Sequence, residues 1–175
     1  DHGRLPVAPL VGLACHRPAV AVGGPVGRYP RPTTLSHPQK EIVLSKEPVF
    51  HNFSAAPTQV APFSHAVECD GWIQLTGQMP TDPDDDAAAL PDGVAAQTRR
   101  VMDNLVIVLE GLGLDLTHVL SCRVFLTEFK RDYQVMNEVY QSYFHPERLP
   151  ARTCVGVTGL ARDALVEIDM IVRRP

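Results

Sequence analysis

At 175 residues, with 45% hydrophobic and 21% charged side chains, the chain suits a globular protein built around one core and fits neither a fibrous nor a wholly disordered class. Its net charge of −4 is uneven: residues 1–47 carry six Lys/Arg against three Asp/Glu, and the remainder carries ten against seventeen. An acidic body argues against nucleic acid as a partner, since neutralising phosphates needs a basic face, and no apolar run approaches the roughly 20 residues that cross a bilayer.

Residues 1–47 hold seven of the sixteen prolines and five of the twelve glycines without periodicity, so they read as an irregular leader to a domain at 48–175. Leu5–Ala14 is mildly apolar, but Pro6 and Pro9 interrupt it; the scarcity of acids before Glu41 would also fit an organelle transit segment. Cys15, Cys69, Cys122 and Cys154 form no CxxC pair and no metal-ligand spacing, which reads as reduced thiols in a cytoplasmic protein.

From residue 48 short strands and two helices follow. Ser64–Glu68 and Trp72–Gln78 flank Cys69-Asp70-Gly71, and the Asp-Gly step predicts a tight antiparallel hairpin. Thr81–Asp92, rich in Asp, Pro and Ala, reads as a solvated loop. Asp82, Asp84 and Asp86 have the spacing that opens an EF-hand, yet Ala87 and Gly93 stand where that loop needs Gly and Glu, so calcium is not expected. Val94, Val101, Leu105, Val108 and Leu109, with Gln97 in phase, predict an amphipathic helix between Asp92 and a glycine cap at Gly111.

Val119–Leu126 reads as a buried strand, and Arg131–Phe144 as a second helix whose Tyr133, Met136, Val139, Tyr140 and Tyr143 share a face. Strands at Ala151–Val157 and Leu165–Val172 complete the order β-β-α-β-α-β-β. That order predicts a single α+β domain in which two helices cover one face of a mixed sheet. The uncovered face, with Val119, Val124, Phe125, Val155, Val157, Ile168 and Met170 on offer, is too apolar to stay wet. Self-association is expected, because burying such side chains is worth roughly 1.5–3 kcal/mol each.

Strand alternation puts Arg152 and Cys154 on one face, and Glu167 and Asp169 on one face of the next strand. If those two final strands pair, a guanidinium fork for a carboxylate and a glutamate able to trade a proton with water would share one cavity. The plainer account is an ion pair at a subunit interface. Cys154 by itself reads as an inert thiol. His65 and His118 lie next to strand positions, and no histidine pair has ligand spacing, so no metal is expected. Asn52-Phe53-Ser54 matches a glycosylation sequon, read as a chance match in an intracellular chain.

From about Ala61 to the C-terminus the sequence resembles the Rid (YjgF) family of reactive intermediate deaminases. "APFSHAV" is similar to the family's opening strand, "LTGQMP" to its SGQ(I/M)P segment and "AAQTRRVMDNL" to its first helix. "VFLTEFKRDYQVMNEVYQSYF" is similar to its third strand and second helix, and "LPARTCVGVTGLARDALVEIDMI" to its closing signature. The leader has no counterpart.

The resemblance implies the chorismate-mutase-like Rid fold and a homotrimer with sites in the clefts between subunits. It also implies hydrolysis of enamine or imine intermediates, such as 2-aminoacrylate-like 2-imino acids, to 2-keto acids and ammonia, without cofactor or metal. Arg152 matches the carboxylate-binding arginine, and Glu167 the glutamate that orients water and exchanges a proton. Gly77 and the Cys154 backbone amide match substrate-contacting positions, and Asn137 the asparagine of the second helix. Phe63 stands where many family deaminases have tyrosine, and Thr76 where serine is common, which makes the pocket more apolar. The family also holds 2-aminomuconate deaminases, non-catalytic or chaperone-like carboxylate binders, and members labelled endoribonuclease L-PSP or translation inhibitor. The acidic body gives the ribonuclease label little physical support.

Overall fold

A computed structural model describes residues 46–175; residues 1–45, and with them most of the leader, lie outside the described residues. The chain forms β1 (Val49–His51), β2 (Ala66–Cys69), β3 (Trp72–Gln78), α1 (Gly93–Gly111), β4 (Val119–Leu126), α2 (Phe129–Gln141), β5 (Ala151–Gly156) and β6 (Val166–Arg173). The β2–β3 hairpin turns at Asp70 and Gly71, both at positive φ (51° and 74°), as a two-residue turn matched to strand twist requires. β1 was not expected from the sequence, because three residues are too few to show a period.

The six strands lie in the order β1-β2-β3-β6-β4-β5. All neighbours are antiparallel except β4 and β5, which run parallel. α2 is the crossover a parallel pair demands. The two final strands therefore do not pair: β4 lies between β5 and β6. The register of β3 against β6 is broken between Leu75 and Gln78, and that irregularity contains Thr76 and Gly77.

Both helices pack on one face. Ile73, Leu75, Val124, Leu126, Ile168 and Met170 of the sheet are wholly buried, as are Val101, Met102, Leu105, Val108 and Leu109 of α1 and Met136 of α2. Val119, Val124, Ile168 and Met170, expected on the uncovered face, thus belong to the helix-covered core. The uncovered face instead carries Trp72, Gln74, Phe125, Val155 and Ile171 among the charged residues Arg123, Glu167, Asp169 and Arg173. Trp72 and Val155 are 54% and 41% exposed there.

α1 continues through Gly111, and the glycine at positive φ beyond it is Gly113. α2 begins two residues before and ends three residues before the expected Arg131–Phe144. Tyr133 is exposed and packs on Phe129, while Tyr143 lies past the helix end and donates to Asp103 and to the Arg99 carbonyl of α1. Arg174 closes the fold with a two-point bond to Glu68 at 2.8 and 2.9 Å and a third bond to the Leu112 carbonyl. No helix of the described residues is long and apolar enough to cross a membrane.

Candidate functional site

In the β4–β5 ladder Arg152 lies beside Cys122, a buried core residue, so Arg152 rises on the helix-covered side of the sheet at its edge. There α2 meets it with two residues one turn apart. Arg152 Nη1 donates to Asn137 Oδ1 at 2.6 Å, and its guanidinium carbon stands 4.9 Å from the centre of the Tyr140 ring. The cavity beyond, about 420 Å³, is lined by these three residues with Gln134, Gln141, Leu149 and Pro150. Among the described residues no carboxylate pairs with Arg152. Its positive charge and most of its donor fork therefore face the cavity, which suits a small carboxylate.

Cys154, two residues along β5, points to the same side. Burial pushes its thiol up, against a smaller opposing effect of Arg152, and burial pushes the Cys122 thiol up to about 11. Both stay protonated at neutral pH. Neither is a ready nucleophile.

Glu167 lies on the other face. It stands opposite Phe125 of β4, in alternation with the buried Val166 and Ile168. Gly77 of β3 gives its carboxyl room: a Cβ at Gly77 would collide with Glu167 Oε1 and stand 2.9 Å from Cδ. Burial first, and then the nearby Asp169, push the Glu167 pKa above the ordinary glutamate range. Asp169 is itself held by Arg123, whose Nε lies 3.0 and 2.9 Å from its two oxygens. Among the described residues nothing donates a hydrogen bond to the Glu167 side chain.

Thr76, next to Gly77, donates from its hydroxyl to the Ser64 carbonyl at 2.6 Å and from its amide to the His65 carbonyl at 3.0 Å. Those bonds tie the end of β3 to the segment carrying Phe63, whose ring meets His65 edge-on. His65 is a structural residue: Nδ1 accepts from the Phe53 amide at 3.0 Å and Nε2 faces the Pro57 carbonyl at 2.9 Å. Asn52, in the sequon, accepts from Gln59 and from the His65 amide. His118 closes a capping box with Asp115. Asp82 pairs with Arg100. Among the described residues no group of three His, Cys, Asp or Glu is placed to hold a metal ion.

The residues singled out from sequence thus fall into two groups. Arg152, Asn137 and Cys154 share the α2 side of the β5 edge; Glu167 and Gly77, with Thr76 beside them, share the other side. Within one chain Arg152 and Glu167 do not meet, contrary to the cavity expected from pairing the last two strands. Nor do they form an ion pair within the chain, since β4 lies between their strands. The sequence places Tyr140 only on the shared face of the second helix, although its position three residues after Asn137 is the signal that links it to the site.

The family model described as endoribonuclease L-PSP matches residues 53–174. The chain belongs to this family, the Rid family. DfrA of Myxococcus xanthus is 44% identical over 118 residues, covering 66% of this chain and 88% of that protein. A 2-iminobutanoate/2-iminopropanoate deaminase of Escherichia coli is 32% identical over 121 residues, covering 68% and 92%. Among solved Rid structures, RidA from an Antarctic Psychrobacter has a TM-score of 0.67 at 31% identity, covering 72% of this chain and 99% of that one. Escherichia coli TdcF with bound serine has a TM-score of 0.66 at 28% identity, covering 73% and 99%. The α+β fold read from the sequence agrees with these relatives.

Proposed function

We propose that this Rid protein hydrolyses small 2-imino acids, and the enamines in equilibrium with them, to 2-keto acids and ammonia. The carrying observation is Arg152: a guanidinium without a carboxylate partner among the described residues, fixed by Asn137 and Tyr140 at the mouth of a 420 Å³ cavity. The name of the Escherichia coli relative gives the substrate class.

In this reading copies of the chain associate through the uncovered sheet face as a homotrimer, so that Arg152 of one copy and Glu167 of a neighbour line one cleft. Phe125, Val155, Ile171 and Trp72 supply the apolar area, as the uncovered side of a sheet must be covered or stay wet. Arg152 holds the substrate carboxylate. Glu167 orients a water and takes its proton as the oxygen attacks C2 of the protonated imine. The carbinolamine nitrogen then receives that proton from Glu167; as the C–N bond breaks and ammonia leaves, the freed Glu167 carboxylate takes the hydroxyl proton and C=O forms. An imine is already electrophilic, so positioning and one proton shuttle are the help required. The Gly77 backbone and the Cys154 amide bound the substrate, with Thr76 and Phe63 shaping its apolar end. The free thiols of Cys69, Cys122 and Cys154 fit a cytoplasmic location.

The test is ammonia release from 2-aminoacrylate generated by a dehydratase. Acceleration that disappears in Arg152→Ala supports the proposal. Rates equal to the uncatalysed background, together with keto-acid binding that still needs Arg152, would make the protein a carboxylate binder instead.

A further inference from the structure

Glu167 lies on β6 beside β3, and α1 is bonded to the chain just past the end of β3 and just before the start of β6. Asn104, wholly buried, donates from Nδ2 to the Met79 carbonyl at 3.0 Å and to the Thr81 carbonyl at 2.9 Å, just past Gly77 and the end of β3. Two helical turns earlier, on the same face of α1, Gln97 donates to the Pro91 carbonyl at 3.0 Å. Its Oε1 accepts from the Leu165 amide at 2.8 Å, two residues before Glu167. Both amides are buried, at 0% and 6% exposure, so water does not compete for these bonds.

The sheet ladder is irregular at this alignment. The β3–β6 register is interrupted between Leu75 and Gln78, the stretch that contains Gly77. The ladder resumes at Gln78 and Ile168, next to the contact, but Gly77 itself has no ladder partner that sets its distance from the Glu167 carboxyl. α1 holds one strand just after the close approach and the other just before it.

We propose that Gln97 and Asn104 are positioning residues for Glu167: acting as a pair, they hold the end of β3 and the start of β6 at the separation that seats the Glu167 carboxyl against Gly77. This rests on reading Glu167 as the proton-exchanging group. The other groups facing Glu167 are Asp169 on its own strand, Arg123 and Phe125 on β4, and the Gly77 backbone on β3. Substituting either amide removes none of these groups.

The test uses the full chain in its assembled state. Gln97→Met keeps the side-chain length without donor or acceptor, and Asn104→Leu keeps the volume. The Glu167 carboxyl is titrated by carbon-13 NMR, and kcat and KM are measured for imine hydrolysis. The expected result is a Glu167 midpoint moved down towards the ordinary glutamate range, as water enters beside a loosened β3. With it kcat falls on the order of 10- to 100-fold, while KM and pyruvate binding through Arg152 stay within about twofold.

Folded variants with an unchanged Glu167 midpoint overturn the proposal, even if their thermal stability falls, because the amides would then serve the loop alone. If the wild-type protein turns over no imine, the deaminase reading fails, yet a lowered midpoint in the variants still upholds the positioning role. Asn104→Ser, which leaves room for water on the two carbonyls, replaces Asn104→Leu should the latter not fold. Gln97→Met addresses the other strand independently.

Discussion

Arg152 and Glu167 project from opposite faces of one sheet, on strands separated by β4, so a single chain cannot close both around one small substrate. Their cooperation requires a second copy. That requirement has a sharp consequence. Arg152→Ala and Glu167→Gln proteins, each inactive alone, should regain activity when unfolded together and reassembled, with about one site in four intact after random mixing into rings. Ammonia release by the mixture reads it out. Complete inactivity of a verified mixed assembly would place both residues in the same half-site.

Arg152→Lys should retain only part of the carboxylate affinity. A lysine carries the charge but lacks the planar fork that bonds Asn137 and the ligand together. Charge-assisted hydrogen bonds contribute about 1.5–3 kcal/mol, so KM is expected to rise roughly 10- to 100-fold. Asn137→Ala should act in the same direction with a smaller effect. Calorimetric titration with pyruvate separates both from any change in kcat.

Gly77→Ala should damage the site directly. The added methyl would meet the Glu167 carboxyl, and relief must come from moving β3 or turning Glu167 away. A cost of about 1–3 kcal/mol is expected for such overpacking. Thermal unfolding measures it, and imine hydrolysis should fall further than the stability loss explains.

The raised pKa of Glu167 fixes the sign of two pH effects. Water activation needs the ionised carboxylate, so kcat should climb as pH rises through a midpoint above the usual glutamate value. Glu167→Gln should leave no activity above the uncatalysed rate at any pH along that limb. For stability, the folded protein holds this proton more tightly than the unfolded chain does. Folding is therefore weakened as pH rises from the ordinary glutamate pKa to the raised one, and Glu167→Gln should unfold at higher temperature than wild type at neutral pH.

Glu68 has the opposite sign. Its bonds to Arg174 hold the carboxyl below the usual range, with His51 adding a smaller pull in the same direction. Its contribution is present above the ordinary glutamate pKa and is lost as pH falls through the lowered folded value. Glu68→Gln should destabilise the protein by about 1–3 kcal/mol at neutral pH, with the difference from wild type shrinking in acid. Urea unfolding at a series of pH values checks both parts.

Much of this protein is legible in its residues. The three- and four-residue spacing of Val94, Gln97, Val101, Leu105 and Val108 makes α1, Asp70-Gly71 makes the hairpin, and the alternation around Val124 makes β4, because each depends only on local periods and turn chemistry. Arg152 and Glu167 stand out by their motifs for the same local reason. Alternation also states which residues of one strand share a face, as Arg152 does with Cys154. It is silent on which face that is, and on which strands lie side by side, since both are set by the packing of helices on the sheet. Only the tertiary structure placed β4 between β5 and β6, turned Val124 and Ile168 into the core while leaving Phe125 and Val155 outside, and put the guanidinium and the carboxyl on opposite sides. The buried amides Gln97 and Asn104 belong to that same level: their partners are backbone groups distant in sequence, which no local pattern records.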